Sequence, residues 1–237
     1  MVGQGVLREC LLDTDIDAVQ TVGRKATGKQ HPKLREIVQP DLFLYSNIEA
    51  ELQGFDACFF CLGVSSVGIP ETQYENLTYT LTLAAAETLA RLTPAMTFVY
   101  VSGAGTDSSE KGRTMWARVK GQTENELLAL GFKAAYMFRP AAIQPLHGIR
   151  SKTKAIQMFY ILSKPLLPFL LRFPKFMTTT EQLGRAMIKV AKDGYPKPVL
   201  ESADINSLRA SPCRQSRSPP QRRASALDFR ESTAPPP

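Results

Sequence analysis

The residues of this chain that could do chemistry lie at the ends of short β-like runs. Gly3 stands directly before an amphipathic stretch. That is the place of the last glycine in a Gly-x-x-Gly-x-x-Gly loop, where backbone N–H groups approach a pyrophosphate and helix and sheet pack closely. Roughly 20 residues later, Thr21-Val-Gly-Arg24-Lys25 closes the next run. An acid at that position would hold a free ribose 2′-hydroxyl, whereas Arg24 and Lys25 suit a 2′-phosphate. The expected cofactor is therefore NADP, as NADPH. Further along, Asp41, Leu62-Gly63 and Ser102-Gly103 follow three other runs, and in open parallel sheets ligands gather at such carboxyl ends.

Cys58-Phe-Phe-Cys61 has the spacing of a metal or redox pair, but it lies in an unbroken apolar run over residues 57–62 that reads as a buried strand. Positions i and i+3 of a strand point to opposite faces, so the two thiols cannot share an ion. His31 and His147, the only histidines, add no obvious third ligand. No metal site is expected.

These residues need elements to hold them, and the pattern supplies strands and helices in alternation. The chain opens on a helix, with Val6, Leu7, Cys10 and Leu11 on one face and Asp13-Thr-Asp as its break. Strands are expected over residues 18–22, 37–38, 57–62, 97–101 and 134–138, with a short final one over 198–201. Helices fall between them: a short one capped by Ser46-x-x-Glu49, a long one over 71–92, and another over 113–130 carrying Trp116, Val119, Leu127 and Leu130. A last amphipathic helix is capped by Thr178-x-x-Glu181, runs through Leu183, Met187, Ile188 and Ala191, and stops at Asp193-Gly194. This order gives an α/β fold, a doubly wound parallel sheet of Rossmann type. A helix at the very start, with no strand before it, leads to a further expectation. The sheet lacks its first strand and the chain is truncated at the N-terminus, so the second and fourth strands have no shared neighbour.

The 237 residues, 43% apolar and 22% charged, suffice for one core. A domain is expected over residues 1–205, followed by a disordered Ser/Arg/Pro-rich tail over 206–237. Six Arg against Asp228 and Glu231 from Ser207 onward account for +4 of the formal +7. The weakly basic remainder argues against a nucleic-acid partner. Arg222-Arg-Ala-Ser225 matches a basic kinase motif, of a kind that chance produces often in such composition. Residues 156–177 are apolar but interrupted by Lys164, Pro165, Pro168, Arg172 and Pro174, too broken for a spanning helix. They read as a lid over the sheet, with peripheral membrane contact as the alternative. Cysteine usage without a disulfide framework, and no signal-like N-terminus, point to a cytoplasmic location.

Gly3, Val22-Gly-Arg24, Phe60-Cys-Leu-Gly63, Tyr100-Val-Ser102-Gly-Ala, Val119-Lys120-Gly and Phe138-Arg139-Pro140 give residues 1–205 a resemblance to a known group. The chain resembles the atypical short-chain dehydrogenase/reductases with an epimerase-like or NmrA-like fold, and among them the Tat-interacting oxidoreductase-like proteins. The resemblance implies that Ser102 polarises a substrate carbonyl and that Lys120 belongs to a Tyr-x-x-x-Lys pair. Trp116 stands where the Tyr would be, and an indole N–H donates a hydrogen bond but no proton. Lys120, one turn away on the same face, is left to bind the nicotinamide ribose or act as the acid. Arg139 and Pro140 complete the expected cofactor site, and Trp116 and Ile143 the substrate pocket, with Ser102, Lys120, Gly63 and Arg139 in one cleft. Two readings follow: an NADP-dependent oxidoreductase or epimerase-like enzyme on a small apolar substrate, or a chain without catalysis, either an NADP-binding regulator with a protein partner or an inactive truncated product.

Overall fold

The computed structural model describes residues 1–148 and 177–208. Its centre is a four-stranded parallel sheet in which β3 (Ala57–Phe60), β4 (Thr97–Val101), β5 (Ala134–Arg139) and β8 (Val199–Glu201) lie in that order. Phe60 registers with Tyr100, Val101 with Phe138, and Arg139 with Glu201. Strand alternation sorts the side chains into two layers. Cys58, Phe60, Phe98, Tyr100 and Met137 enter one core with the helices that follow β3 and β4. Phe59, Cys61, Val99, Tyr136 and Phe138 enter the other, with the first helix and the last two. The sheet is thus wound on both faces, and Cys58 and Cys61 sit on opposite sides of it.

Helix α1 (Val2–Leu12) crosses α5 (Thr180–Asp193). The crossing depends on Gly5, because a Cβ there would stand 2.8 Å from Thr180 Cβ and 2.9 Å from its carbonyl oxygen. The expected long helix over 71–92 is present as α2 (Glu71–Glu75), a π-turn Asn76–Thr80, and α3 (Leu81–Leu92). There the Leu81 N–H reaches Asn76 O and the Thr82 hydroxyl bonds to Thr78 O, a side-chain bond of the kind that disturbs the regular ladder. Helix α4 (Met115–Ala129) lies within its expected span.

Both expected caps need correction. Glu49–Leu52 is a single 3-10 turn with Ile48 at its N-cap and no side-chain cap, and the Glu49 carboxylate pairs instead with Arg91. Helix α5 is capped by Thr179, whose hydroxyl accepts from Gln182 N at 3.0 Å. Thr178 cannot serve, because it is buried in mid-strand in β7 (Met177–Thr179), opposite Ile143 of β6 (Ala142–Gln144). Met177, expected within the lid, is the first residue of that strand. The rest of the expected lid, and the Ser/Arg/Pro-rich stretch from residue 209, lie outside the described residues. Helix α6 (Ser202–Ser207) carries the packed domain to Leu208. Among the described residues no helix is long and apolar enough to cross a membrane.

A second, two-stranded parallel sheet pairs β1 (Val19–Gly23) with β2 (Leu34–Val38). No described strand pairs with the other edge of β1 or of β3, although α1 lies against both.

Candidate functional site

Where β3 and β4 end, the chain leaves the sheet and a cleft of about 580 Å³ opens. The loop after β3 brings Leu62 and Gly63, the end of β4 brings Ser102, α4 brings Trp116 and Lys120, and the β5–β6 connection brings Pro140 and Ile143. Helical spacing of four places Trp116 and Lys120 on one face. That helix comes close to the loop after β4 because of Gly121, where a Cβ would fall 1.8 Å from the Asp107 carbonyl oxygen.

The remaining expected site residues lie elsewhere. Gly3 is exposed beside the cleft, next to Val2 in its wall, and a Cβ on it would lie 3.3 Å from Cys61 Cβ, just past the end of β3. Arg24 and Lys25 are exposed beyond the end of β1, and Asp41 is exposed beyond β2, its carboxylate accepting from Phe43 N in a local turn. None of the three lines the cleft. Arg139 corrects the expectation most clearly. Strand alternation turns its side chain toward α4, with Met137, and its guanidinium is spent on Glu124, on Glu201 at 3.5 Å and on the Ser108 hydroxyl. It is a part-buried structural cation and not a wall of the cleft.

Lys120 Nζ donates to the Ser102 carbonyl oxygen. Burial in the cleft wall brings its amine down to about 8, against the pull of Glu124, which favours the charged form. The Ser102 hydroxyl points away from the cleft and bonds to Glu124 Oε1, with Phe138 O at 3.2 Å. No tyrosine among the described residues lines the cleft, and Tyr100, two residues before Ser102, is raised far above its ordinary value by burial in the core beneath α3 and α4. The thiols of Cys58 and Cys61 are pushed up to about 12 by burial and are inert at neutral pH. Among the described residues no group of three His, Cys, Asp or Glu is placed to hold a metal ion.

Sequence reasoning missed Glu124. It is 1% exposed in its side chain and holds both Ser102 and Arg139. Its signal was available: it stands one turn beyond Lys120 and two beyond Trp116, on the face that carries the other site residues.

No protein-family model matches the chain. It is 27% identical over 206 residues to protein FMP52-2 of Scheffersomyces stipitis, covering 85% of this chain and 87% of the relative. It is 26% identical over 167 residues to fmp52 of Emericella nidulans, covering 68% and 70%, and 22% identical over 215 residues to FMP52 of Debaryomyces hansenii, covering 88% and 92%. These relatives carry the FMP52 name and not that of the Tat-interacting oxidoreductase-like proteins, which corrects the narrower resemblance. All three are named mitochondrial, which overturns the expected cytoplasmic location.

Among solved structures, the chain is similar to the Bordetella bronchiseptica enzyme WbmF in complex with NAD+, with a TM-score of 0.59, 16% identity, and coverage of 87% of this chain and 73% of WbmF. A UDP-galactose 4-epimerase gives a TM-score of 0.60 at 17% identity, with 84% and 72% covered. The fold is that of the NAD-binding epimerases and dehydrogenases.

Proposed function

We propose that this chain is an oxidoreductase-like or epimerase-like enzyme that binds NADP(H) across the cleft and acts on a small apolar substrate in a mitochondrial setting. The observation that carries the reading is Lys120, an amine set among backbone polar groups and apolar side chains at the carboxyl end of a parallel sheet. The walls fit a dinucleotide. Val2, at the start of α1, stands at the cleft with the positive end of a helix dipole, and at Gly63 no atom lies within 4 Å of where a Cβ would be. WbmF, of the same fold, has been crystallised with NAD+ and with NADH.

A bound nicotinamide dinucleotide would supply or accept the hydride. The chain's own residues do the rest. Lys120 is placed to hold a ribose hydroxyl, and with its amine near 8 it can also release a proton close to neutral pH. Trp116, Ile143 and Leu62 exclude water from the wall and offer apolar contact. Arg24 and Lys25, which among the described residues pair with no acid, suit a 2′-phosphate. Mitochondrial placement is supported by the relatives' names.

One observation favours the second reading, a non-catalytic nucleotide-binding regulator. Trp116 cannot deliver a proton, and the Ser102 hydroxyl spends its own on Glu124. Calorimetry of the chain with NADPH and with NADH, followed by a turnover screen against apolar aldehydes, ketones and enones, separates the two. Binding with turnover supports the enzyme. Binding without turnover, unchanged by Trp116→Tyr, supports the regulator. Absence of dinucleotide binding refutes both.

A further inference from the structure

We infer that Glu124 is a positioning residue for the cleft, which fixes the Ser102 hydroxyl from behind and sets a buried acid one helical turn from Lys120; this role presupposes the dinucleotide-binding reading. Ser102 is the hinge of the arrangement. Its carbonyl oxygen accepts from Lys120 Nζ, while its hydroxyl bonds to Glu124 Oε1. Strand alternation explains why: Phe98, Tyr100 and Ser102 all turn toward the α3/α4 layer, where Glu124 waits one helical turn past Lys120. The hydroxyl proton therefore lies inside the fold, and toward the cleft Ser102 offers lone pairs only.

The carboxylate that does this is itself held fast. Arg139 Nε lies 3.1 Å from each of its oxygens and Nη2 adds a further bond. Arg139 is in turn tied to Ser108 and Glu201. A buried carboxylate so paired is held in its place. Lys120 then has burial pulling it toward neutrality and Glu124 as the acid acting against that pull. Among the described residues, the other ionisable groups facing the cleft are the Cys61 thiol, neutral because burial pushes it up to about 12, and the amino end at Met1. Neither supplies the negative charge that Lys120 needs.

The test is Glu124→Gln in the full chain, with the titration of Lys120 read from its pH-dependent acylation by an amine reagent and mass spectrometry of the peptide that contains it. No dinucleotide is present in this measurement. The midpoint is expected to fall by about one pH unit, and Glu124→Asp to restore most of it. A folded Glu124→Gln protein whose midpoint is unchanged overturns the inference. If Glu124→Gln does not fold, the double variant Glu124→Gln/Arg139→Gln removes the buried acid and its counter-ion together. Arg139 is not among the charges that act on Lys120, so the same fall is expected, and an unchanged midpoint again overturns the role. NADPH affinity, measured in parallel by calorimetry, keeps the two failures apart. If the midpoint falls but even the wild-type chain binds no dinucleotide, it is the proposed function that has failed. Normal binding with an unmoved midpoint refutes only the positioning role.

Discussion

Strands β4 and β1 are both five residues long, yet four residues of β4 are buried and none of β1 is. The difference lies in their neighbours. β4 has β3 and β5 on its two edges and helical layers on both faces, whereas β1 has β2 on one edge and no described strand on the other. The expected site residues divide along the same line. Ser102, Lys120 and Gly63 are positioned by the sealed sheet, and Arg24 and Lys25 extend from the end of the open one. Under the proposed function, the groups that would hold a fixed geometry are on the side where local opening costs most, and those that would only select a ligand are on the side where it costs least.

The largest test of this contrast is a pair of truncations. Phe98 is 0% exposed and stacks on Phe60 and Phe132, with ring centroids 6.0 and 5.0 Å apart. Phe98→Ala is expected to cost about 3–5 kcal/mol in urea unfolding. Val22→Ala, on half-buried β1, is expected to cost only about 1 kcal/mol. Comparable losses would break the contrast. Next comes Gly121→Ala, expected to cost about 2–3 kcal/mol, because the new Cβ meets the backbone of Asp107 and either helix α4 or the loop must move. The same shift would carry Trp116 and Lys120 with it, so dinucleotide affinity should fall along with stability. Unchanged affinity would show that the cleft tolerates displacement of α4.

The sealed sheet was the more legible half in the sequence, for the same reason. The runs at 97–101 and 134–138 are apolar enough to be covered on both faces, and their ends place Ser102 and, through α4, Lys120. Caps were misread by one or a few residues, because a Thr hydroxyl at 178 and one at 179 look alike until strand alternation turns the first inward. Arg139 was misassigned for a related reason. Position at a strand end was visible, but the face to which its side chain turns depends on register, and its partner Glu124 has the spacing of a site residue and the charge of a surface one. Arg24 and Lys25 were legible as an exposed basic pair, while the distance from β1 to the cleft was not, since no periodicity encodes how two sheets are set.

A smaller effect concerns Lys120 itself. Its amine is lowered to about 8 in the folded protein from an ordinary 10.5. Below pH 8 both folded and unfolded chains hold the proton and the full cost of burying the charge is present. Between pH 8 and 10.5 the unfolded chain binds more protons, so stability rises with pH. Above that range the cost is gone. The shift corresponds to about 3 kcal/mol, of which the lost hydrogen bond to Ser102 returns about 1 in the variant Lys120→Met. Lys120→Met should therefore be more stable than wild type by about 2 kcal/mol at pH 7, with the gain shrinking as pH climbs from 8 to 10.5. Urea titrations at several pH values would show it, and a pH-independent difference would mean that the amine is not desolvated. Dinucleotide affinity in the wild type is expected to weaken over the same rise through pH 8.

The smallest effect on stability is expected at Arg24, and it is the sharpest probe of the open sheet. Arg24 is exposed, just past the last residue of β1, and among the described residues it pairs with no acid. Arg24→Ala should leave the unfolding free energy within about 0.5 kcal/mol of wild type, as for surface changes away from packed features. Its consequence is confined to ligand choice. A guanidinium facing a 2′-phosphate contributes charge-assisted hydrogen bonds of about 1.5–3 kcal/mol, so the ratio of NADPH to NADH affinity should fall by about tenfold or more. Affinity for NADH, which lacks that phosphate, should not change. Because the group is solvent-exposed, the wild-type preference should also weaken with added salt, whereas the apolar contacts around Lys120 should not. An unchanged ratio in the variant would place the source of any preference on the sealed side of the molecule, and the division of labour between the two sheets would fail.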